Sequence, residues 1–164
     1  YIQSDGSLGG DEEYQQVTLD ATSVASFGRH TVQTIGRYYT TFDNDAPIYA
    51  QFRAGGFGRL SGYNTNELFG QNFAMVGGSY RYRVTKSELV LLPGYVGATL
   101  EYGQVAERSS DLFDDGLVNG SLYLGFDTPV GPLFIAWGFA EGGRQQFLLR
   151  LGRALDTGGS RIIF

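Results

Sequence analysis

Over long stretches of this chain, apolar residues alternate with polar or small ones. In residues 116–127 (GLVNGSLYLGFD), Val118, Gly120, Leu122, Leu124 and Phe126 share one face, and Asn119, Ser121, Tyr123, Gly125 and Asp127 the other. A period of two is the pattern of a β-strand whose faces meet different surroundings. Thr128-Pro129-Val130-Gly131 reads as a turn, and 132–140 then sets Leu133, Ile135, Trp137 and Phe139 against Ala136, Gly138 and Ala140, which predicts a hairpin. Residues 95–105 repeat the pattern, with Val96, Ala98, Leu100 and Tyr102 opposite Thr99 and Glu101. So do 145–155, with Phe147, Leu149 and Leu151 opposite Gln146, Arg150 and Gly152. Segments 14–27, 29–42, 47–55 and 72–85 alternate less cleanly, and the total comes to about eight strands.

A soluble β-sandwich alternates in the same way as a membrane barrel, so the discrimination rests on details. The predicted strands run to about ten residues, the length that crosses a bilayer at a tilt, whereas globular strands usually stop near five or six. Opposite the apolar faces stand Arg53, Arg81, Arg83, Glu101 and Arg150, which a dry core would reject and a watery lumen would accept. Aromatic residues gather near predicted strand ends (Tyr38, Tyr39, Phe42, Tyr82, Tyr95, Phe126, Phe139, Phe147), as interface girdles do. The expected fold is therefore all-β, an antiparallel transmembrane β-barrel. Residues 43–46 and 127–131 read as short turns and 55–71 and 106–115 as long loops; 86–93 is too long for the side it should occupy.

Composition agrees and removes alternatives. Among 164 residues are 25 Gly, 12 Phe and 11 Tyr, with no Cys, so neither a disulfide scaffold nor a thiolate metal site is available. A net charge of -5 with almost no lysine gives no footprint for nucleic acid. No apolar run reaches the roughly 18 residues of a membrane helix. The start, Tyr1-Ile2-Gln3-Ser4, has neither an initiator Met nor a signal peptide, and predicts a fragment or processed chain.

One constellation points to a family. Gly55-Gly56-Phe57-Gly58-Arg59-Leu60-Ser61-Gly62-Tyr63-Asn64, followed by Glu67-Leu68-Phe69-Gly70-Gln71, resembles the sixth loop of the bacterial surface-antigen (BamA/TamA-like) outer-membrane barrel superfamily. In that family the loop folds into the barrel lumen, and an aliphatic-Arg-Gly-aromatic tip touches acidic or polar groups on the wall. Leu60-Ser61-Gly62-Tyr63 occupies those four positions, with Ser61 where the family has Arg and Arg59 the candidate substitute. The variant is similar to the branch in which the barrel follows a patatin-like phospholipase domain. Gly131-Pro132-Leu133, Phe139-Ala140-Glu141-Gly142-Gly143 and Leu151-Gly152-Arg153 agree with that branch.

The resemblance implies the C-terminal half of a sixteen-stranded barrel, strands nine to sixteen. Its expected layout is an N-terminal edge segment 1–13, a barrel domain 14–155 with lumen-folding loop 55–71, and a tail 156–164. Arg53, Arg81, Arg83 and Glu101 are the candidate lumen contacts. The implied function is to anchor and help translocate an attached upstream domain, patatin-like in this branch; the alternative is a barrel of assembly or secretion machinery behind POTRA repeats. The implied partners are outer-membrane lipid, that upstream domain and the outer-membrane barrel assembly machinery, and the implied location is the bacterial outer membrane.

No chemistry is expected in this segment. A patatin-type nucleophile needs Gly-x-Ser-x-Gly, and Gly77-Gly78-Ser79-Tyr80-Arg81 fails at the last position. The glycines 55–58 lack the Lys-Ser/Thr pair and helix of a phosphate cradle. His30 stands alone, and Asp111, Asp114 and Asp115 match no calcium-loop spacing. No metal or cofactor is expected.

Overall fold

A computed structural model of the chain describes residues 2–4, 14–42, 46–85, 93–129 and 131–151, the first three by backbone alone. One antiparallel sheet holds eight strands: β1 (Ile2–Ser4), β2 (Tyr14–Phe27), β3 (His30–Phe42), β6 (Asn72–Arg83), β7 (Gly94–Ala106), β8 (Leu117–Thr128), β9 (Gly131–Ala140) and β10 (Arg144–Leu151), hydrogen-bonded in that order. A separate two-stranded stem pairs β4 (Phe52–Ala54) with β5 (Leu68–Gly70). Among the described residues the main sheet is open: β1 and β10 are its two edges and do not pair with each other.

The register puts the predicted faces together across strands. One row runs Phe147, Trp137, Leu122, Ala98, Tyr80, Val32, Ala25 from β10 to β2, all on one side. That side is bare. Leu100 is 66% exposed, Leu122 53% and Leu149 73%. The opposite side is covered by residues 46–71 and carries buried polar groups: Glu101 is 2% exposed, Asn119 1% and Ser121 0%. These polar groups are buried beside two apolar clusters, while the aliphatic residues of the other side, which a water-soluble sheet would ordinarily bury, are left open.

Segment 47–55 is not a strand of the sheet. Pro47 lacks an N–H for a ladder and fixes φ, and its carbonyl instead accepts from the amides of Ala50 (2.8 Å) and Gln51 (3.2 Å), closing a turn. Ile48 and Tyr49 project into solvent, and only Phe52–Ala54 is extended, within the stem. β3 consequently pairs with β6 directly, from His30↔Tyr82 to Tyr39↔Phe73. The eighth strand is β1 instead, which lies in the segment expected to hold an edge or loop and aligns Ile2 with Gln16 and Ser4 with Tyr14. Residues 152–155 of the last predicted strand, the tail 156–164 and the puzzling 86–92 lie outside the described residues.

Removing one strand also reorders the connections. Those from β3 to β6, β7 to β8 and β9 to β10 now leave from one end of the sheet, and those from β2 to β3, β6 to β7 and β8 to β9 from the other. The two ends are called the loop end and the turn end below. Two of the expected girdle aromatics lie on the other face: Tyr39 and Tyr95 point to the covered side, Tyr39 as part of a buried cluster with Leu60, Tyr63, Phe73 and Met75.

Glycine permits close packing on the covered side. A Cβ on Gly97 would stand 2.6 Å from the carbonyl oxygen of Tyr80 and collide with the Tyr123 ring lying across it. The Gly97→Val substitution is expected to cost about 1–3 kcal/mol by overpacking, read as a lower urea midpoint. Gly78→Val, where the nearest atom to a new Cβ is 3.9 Å away, should change the midpoint little.

Candidate functional site

The site is where 55–71 meets the covered face of the sheet. Between the two strands of the stem the chain coils tightly. Gly55 (φ 110°), Gly56 (φ 100°) and Gly58 (φ 70°) are left-handed, as is the buried Leu60 (φ 70°), a conformation glycine adopts freely and leucine rarely. The coil closes on itself: Gly55 N–H donates to the Arg59 carbonyl (2.7 Å), Gly56 N–H to that of Tyr63 (2.9 Å), and Tyr63 N–H to that of Leu60 (3.1 Å).

Ser61 and Gly62 form the point of contact. A Cβ on Gly62 would lie 2.6 Å from the Ala140 nitrogen, and one on Gly138 would lie 2.6 Å from the Ser61 carbonyl carbon, so main chain rests directly on β9. Glu101 of β7 receives the tip. One carboxylate oxygen accepts the Ser61 N–H (2.7 Å), and the other accepts the Ser61 hydroxyl (2.6 Å) and that of Thr99 (2.7 Å). Thr99 also bonds Ser121 (2.8 Å), while Asn119 Oδ1 accepts the Gly62 N–H at 3.2 Å. A carboxylate is an acceptor only, and bonds to it are about twice as strong as neutral ones.

Around this centre the side chains of the loop are seated one by one. Leu60 is fully buried against Tyr39, Phe73 and Met75. Phe57 meets the edge of Tyr123 (5.1 Å) and stacks on Phe134 (6.2 Å). The Arg59 guanidinium lies over the rings of Tyr39 (5.8 Å) and Phe73 (5.4 Å), a cation–π seat; Glu101 is met by Ser61. Gln71 brackets Ala46, accepting its N–H and donating to its carbonyl, both at 2.9 Å.

A clamp closes the outer shoulder. Arg144, at the start of β10, lies 4.5 Å over the Tyr63 ring and is ion-paired with Glu67. Glu67 also accepts the Asn64 N–H (2.7 Å) and side-chain amide (2.9 Å). The Asn64 N–H, opposed by desolvation and reinforced by Arg144, holds the Glu67 carboxyl below its ordinary 4.5.

The candidate lumen contacts divide. Glu101 is at the centre. Arg81 and Arg83 lie on the covered face towards the turn end, over the Tyr95 ring at 5.0 and 5.6 Å. Arg53 is not on the sheet wall: with 47–55 turned out of the sheet, it sits on β4 of the stem and is exposed. His30 is on the bare side, its Nδ1 2.7 Å from the Tyr80 hydroxyl. Asp111, Asp114 and Asp115 are exposed in the connection 107–116. Sequence reasoning placed Gln71 in the loop motif without a contact and missed Thr99, Asn119 and Arg144 as site residues. The small pair Gly138 and Ala140 was a readable hint of close approach; the register that aims Asn119 at Gly62 was not. The chain matches no family model and no curated protein.

Two outcomes follow from this seat. Glu101→Ala leaves the Ser61 N–H and hydroxyl buried without an acceptor, which costs about 1–3 kcal/mol for each unsatisfied group. It should speed proteolytic nicking within 55–71; Glu101→Gln, which keeps one acceptor, should nick at an intermediate rate, and equal rates for wild type and Glu101→Ala would refute the seat. The clamp should depend on pH. A depressed folded-state carboxyl stabilises the loop fully above the ordinary value of 4.5 and loses that stabilisation as pH falls through the lowered one. Hydrogen exchange at the Asn64 amide should therefore accelerate below that window beyond its intrinsic trend, and Glu67→Gln should abolish the excess.

Proposed function

We propose that this chain is the C-terminal half of a bacterial outer-membrane β-barrel of surface-antigen type, with the bare face against lipid and the 55–71 loop seated in the lumen. The bare face carries the reading. Leu19, Val76, Leu100, Leu122, Ile135 and Leu149 line one side of six strands, each at least 44% exposed, an apolar face of a kind that water-soluble proteins rarely leave open. Hydrocarbon is the solvent for which such a face is stable. The strands are long enough: β2 to β9 of the sheet span 10–14 residues, against the 9–11 or so that cross a bilayer at a tilt.

The two-residue connections at 28–29 and 129–130 and the long ones from β3 to β6 and β7 to β8 support the same reading, with the turn end towards the periplasm and the loop end outward; the connection from β6 to β7 is long for the turn end, as the sequence already indicated. On this reading the eight strands of the sheet are strands nine to sixteen, β1 being the ninth and the seated loop joining the eleventh and twelfth. The barrel's work is to anchor an upstream domain and help it across the membrane. Ser61 favours the patatin-linked branch, since its N–H and hydroxyl take both oxygens of Glu101 and the tip needs no arginine to reach the wall. Any hydrolytic chemistry belongs to that upstream domain.

Leu122→Arg and Leu100→Arg test the lipid face. In the intact polypeptide refolded into vesicles, each should destabilise by about 2–4 kcal/mol if near the midplane, and both should lower recovery in the outer-membrane fraction. A soluble β-domain would tolerate or benefit from either charge. Full stability of both variants, with the protein released by a carbonate wash, would sink the proposal.

A further inference from the structure

The bare face is uncharged along its strands. In the register of β2, β3 and β6 to β10, no described residue on that side is Asp, Glu, Lys or Arg. One cation reaches it from outside the strands. The turn between β2 and β3 is Gly28 and Arg29, with Gly28 left-handed (φ 62°), and the Arg29 guanidinium donates to the Tyr82 hydroxyl of the bare side at 3.5 Å. Arg29 thus stands at the rim of the face, at the turn end, just beyond the row His30, Tyr82, Val96, Leu124.

Aromatic rings hold this rim in place. His30 stacks on Phe27 across the turn (5.8 Å between centroids) and packs against Tyr80 (5.9 Å) and Tyr82 (5.1 Å). Its Nδ1 lies 2.7 Å from the Tyr80 hydroxyl, which fixes the imidazole beside Tyr82. The Tyr82 hydroxyl accepts from Arg29 and keeps its own proton to donate. A guanidinium carries five N–H groups in a planar fork, and among the described residues Tyr82 takes one of them. The described carboxylate at the turn end is Asp127, which is on the covered face and accepts from the Tyr95 hydroxyl at 2.7 Å.

Beside these donors the surface turns aliphatic at once, with Val96 42% exposed and Leu124 47%. A free anion gains nothing from such neighbours. A phosphate joined to hydrocarbon chains does: the guanidinium and the phenol take phosphate oxygens through charge-assisted bonds, and the chains cover the aliphatic row, at the level where aromatic and cationic side chains meet the edge of a bilayer. We infer that Arg29 and Tyr82, positioned by His30 and Phe27, bind the phosphate of a phospholipid whose acyl chains lie along Val96 and Leu124. The inference rests on the barrel proposal and deepens it, adding to the lipid face one headgroup site in the leaflet at the turn end.

Phosphatidylglycerol is the probe, titrated into the intact polypeptide in nonionic detergent micelles, with bound lipid counted by native mass spectrometry. Wild type is expected to bind it saturably. Arg29→Gln should weaken that binding about tenfold or more, the loss of one charge-assisted contact, and Tyr82→Phe by a smaller factor. Arg108→Gln, in the connection at the loop end, should leave it unchanged. Diacylglycerol, with the chains and no phosphate, should not occupy the site, and inorganic phosphate at equal concentration should not displace the lipid. Heat-modifiable migration reports whether each variant has folded. No saturable binding by folded wild type, or equal affinity in folded Arg29→Gln, overturns the site. Displacement by inorganic phosphate overturns the lipid as its occupant, and equal binding of diacylglycerol overturns the phosphate as the recognised group. Any of these results in a protein that resists a carbonate wash leaves the barrel proposal standing, whereas release by the wash overturns both.

Discussion

A carboxylate buried on the face of a sheet cannot stand by itself. Glu101 is 2% exposed, and taking an ionised group out of water costs several kcal/mol or more unless donors replace the water it loses. The sheet supplies one, Thr99. The loop supplies the other two through the N–H and hydroxyl of Ser61, and this one requirement organises much of what surrounds it. Ser61 can reach only if main chain lies on main chain, which requires Gly62 on the loop and Gly138 on β9. The tip can present both donors only from a tight coil, which calls for left-handed residues at Gly55, Gly56 and Gly58. Leu60 is held in the same unfavourable conformation, a cost of order 1–3 kcal/mol, and its complete burial among Tyr39, Phe73 and Met75 offsets a cost of that size.

The alternation that defines the two faces was legible in the sequence from β7 to β10, whose described residues carry the faces that the period of two assigned to them. Leu122, Trp137 and Phe147 align on one side as expected, and Glu101, Asn119 and Ser121 on the other. The misreading at 47–55 has a local cause. Ile48, Ala50 and Phe52 mimic a period of two, but a three-point alternation next to Pro47 is also what a turn followed by a short stem produces, and only the direct pairing of β3 with β6 separates the two. β1 was illegible for the opposite reason: three residues contain too little pattern to distinguish an edge strand from a loop.

Of the site, the sequence exposed the loop and its tip but not its contacts. Nearness to a strand end marks Tyr39 as a girdle aromatic, but neighbours in a strand point to opposite faces: Tyr38 is on the bare side and Tyr39 in the core. Arg59 stands two residues before the tip position that it was expected to replace, and its guanidinium lies over two aromatic rings. A guanidinium is weakly hydrated and stacks well, and that of Arg59 lies over the faces of Tyr39 and Phe73. The clamp of Arg144 on Tyr63 and Glu67 spans 77 residues of sequence, beyond any local pattern.

The distribution of these contacts decides which part of the sheet the loop can sense. Leu60 and Arg59 rest on β3 and β6, Ser61 on β7, Gly62 on β8 and β9, Phe57 on β8 and β9, and Tyr63 and Glu67 on β10 through Arg144. A loop rooted between β3 and β6 is therefore tied to every strand from its root to the β10 edge. Each tie is a short-range contact, so it is sensitive to small displacements of its strand, and a shift of β9 relative to β7 would set the Gly138 contact against the Glu101 bonds. Main chain pressed on Gly138 cannot follow both strands at once. The seat therefore holds β7 to β10 in one relative position while the loop is in place. It also makes the β10 edge, where the sheet is open, mechanically continuous with the tip at Ser61.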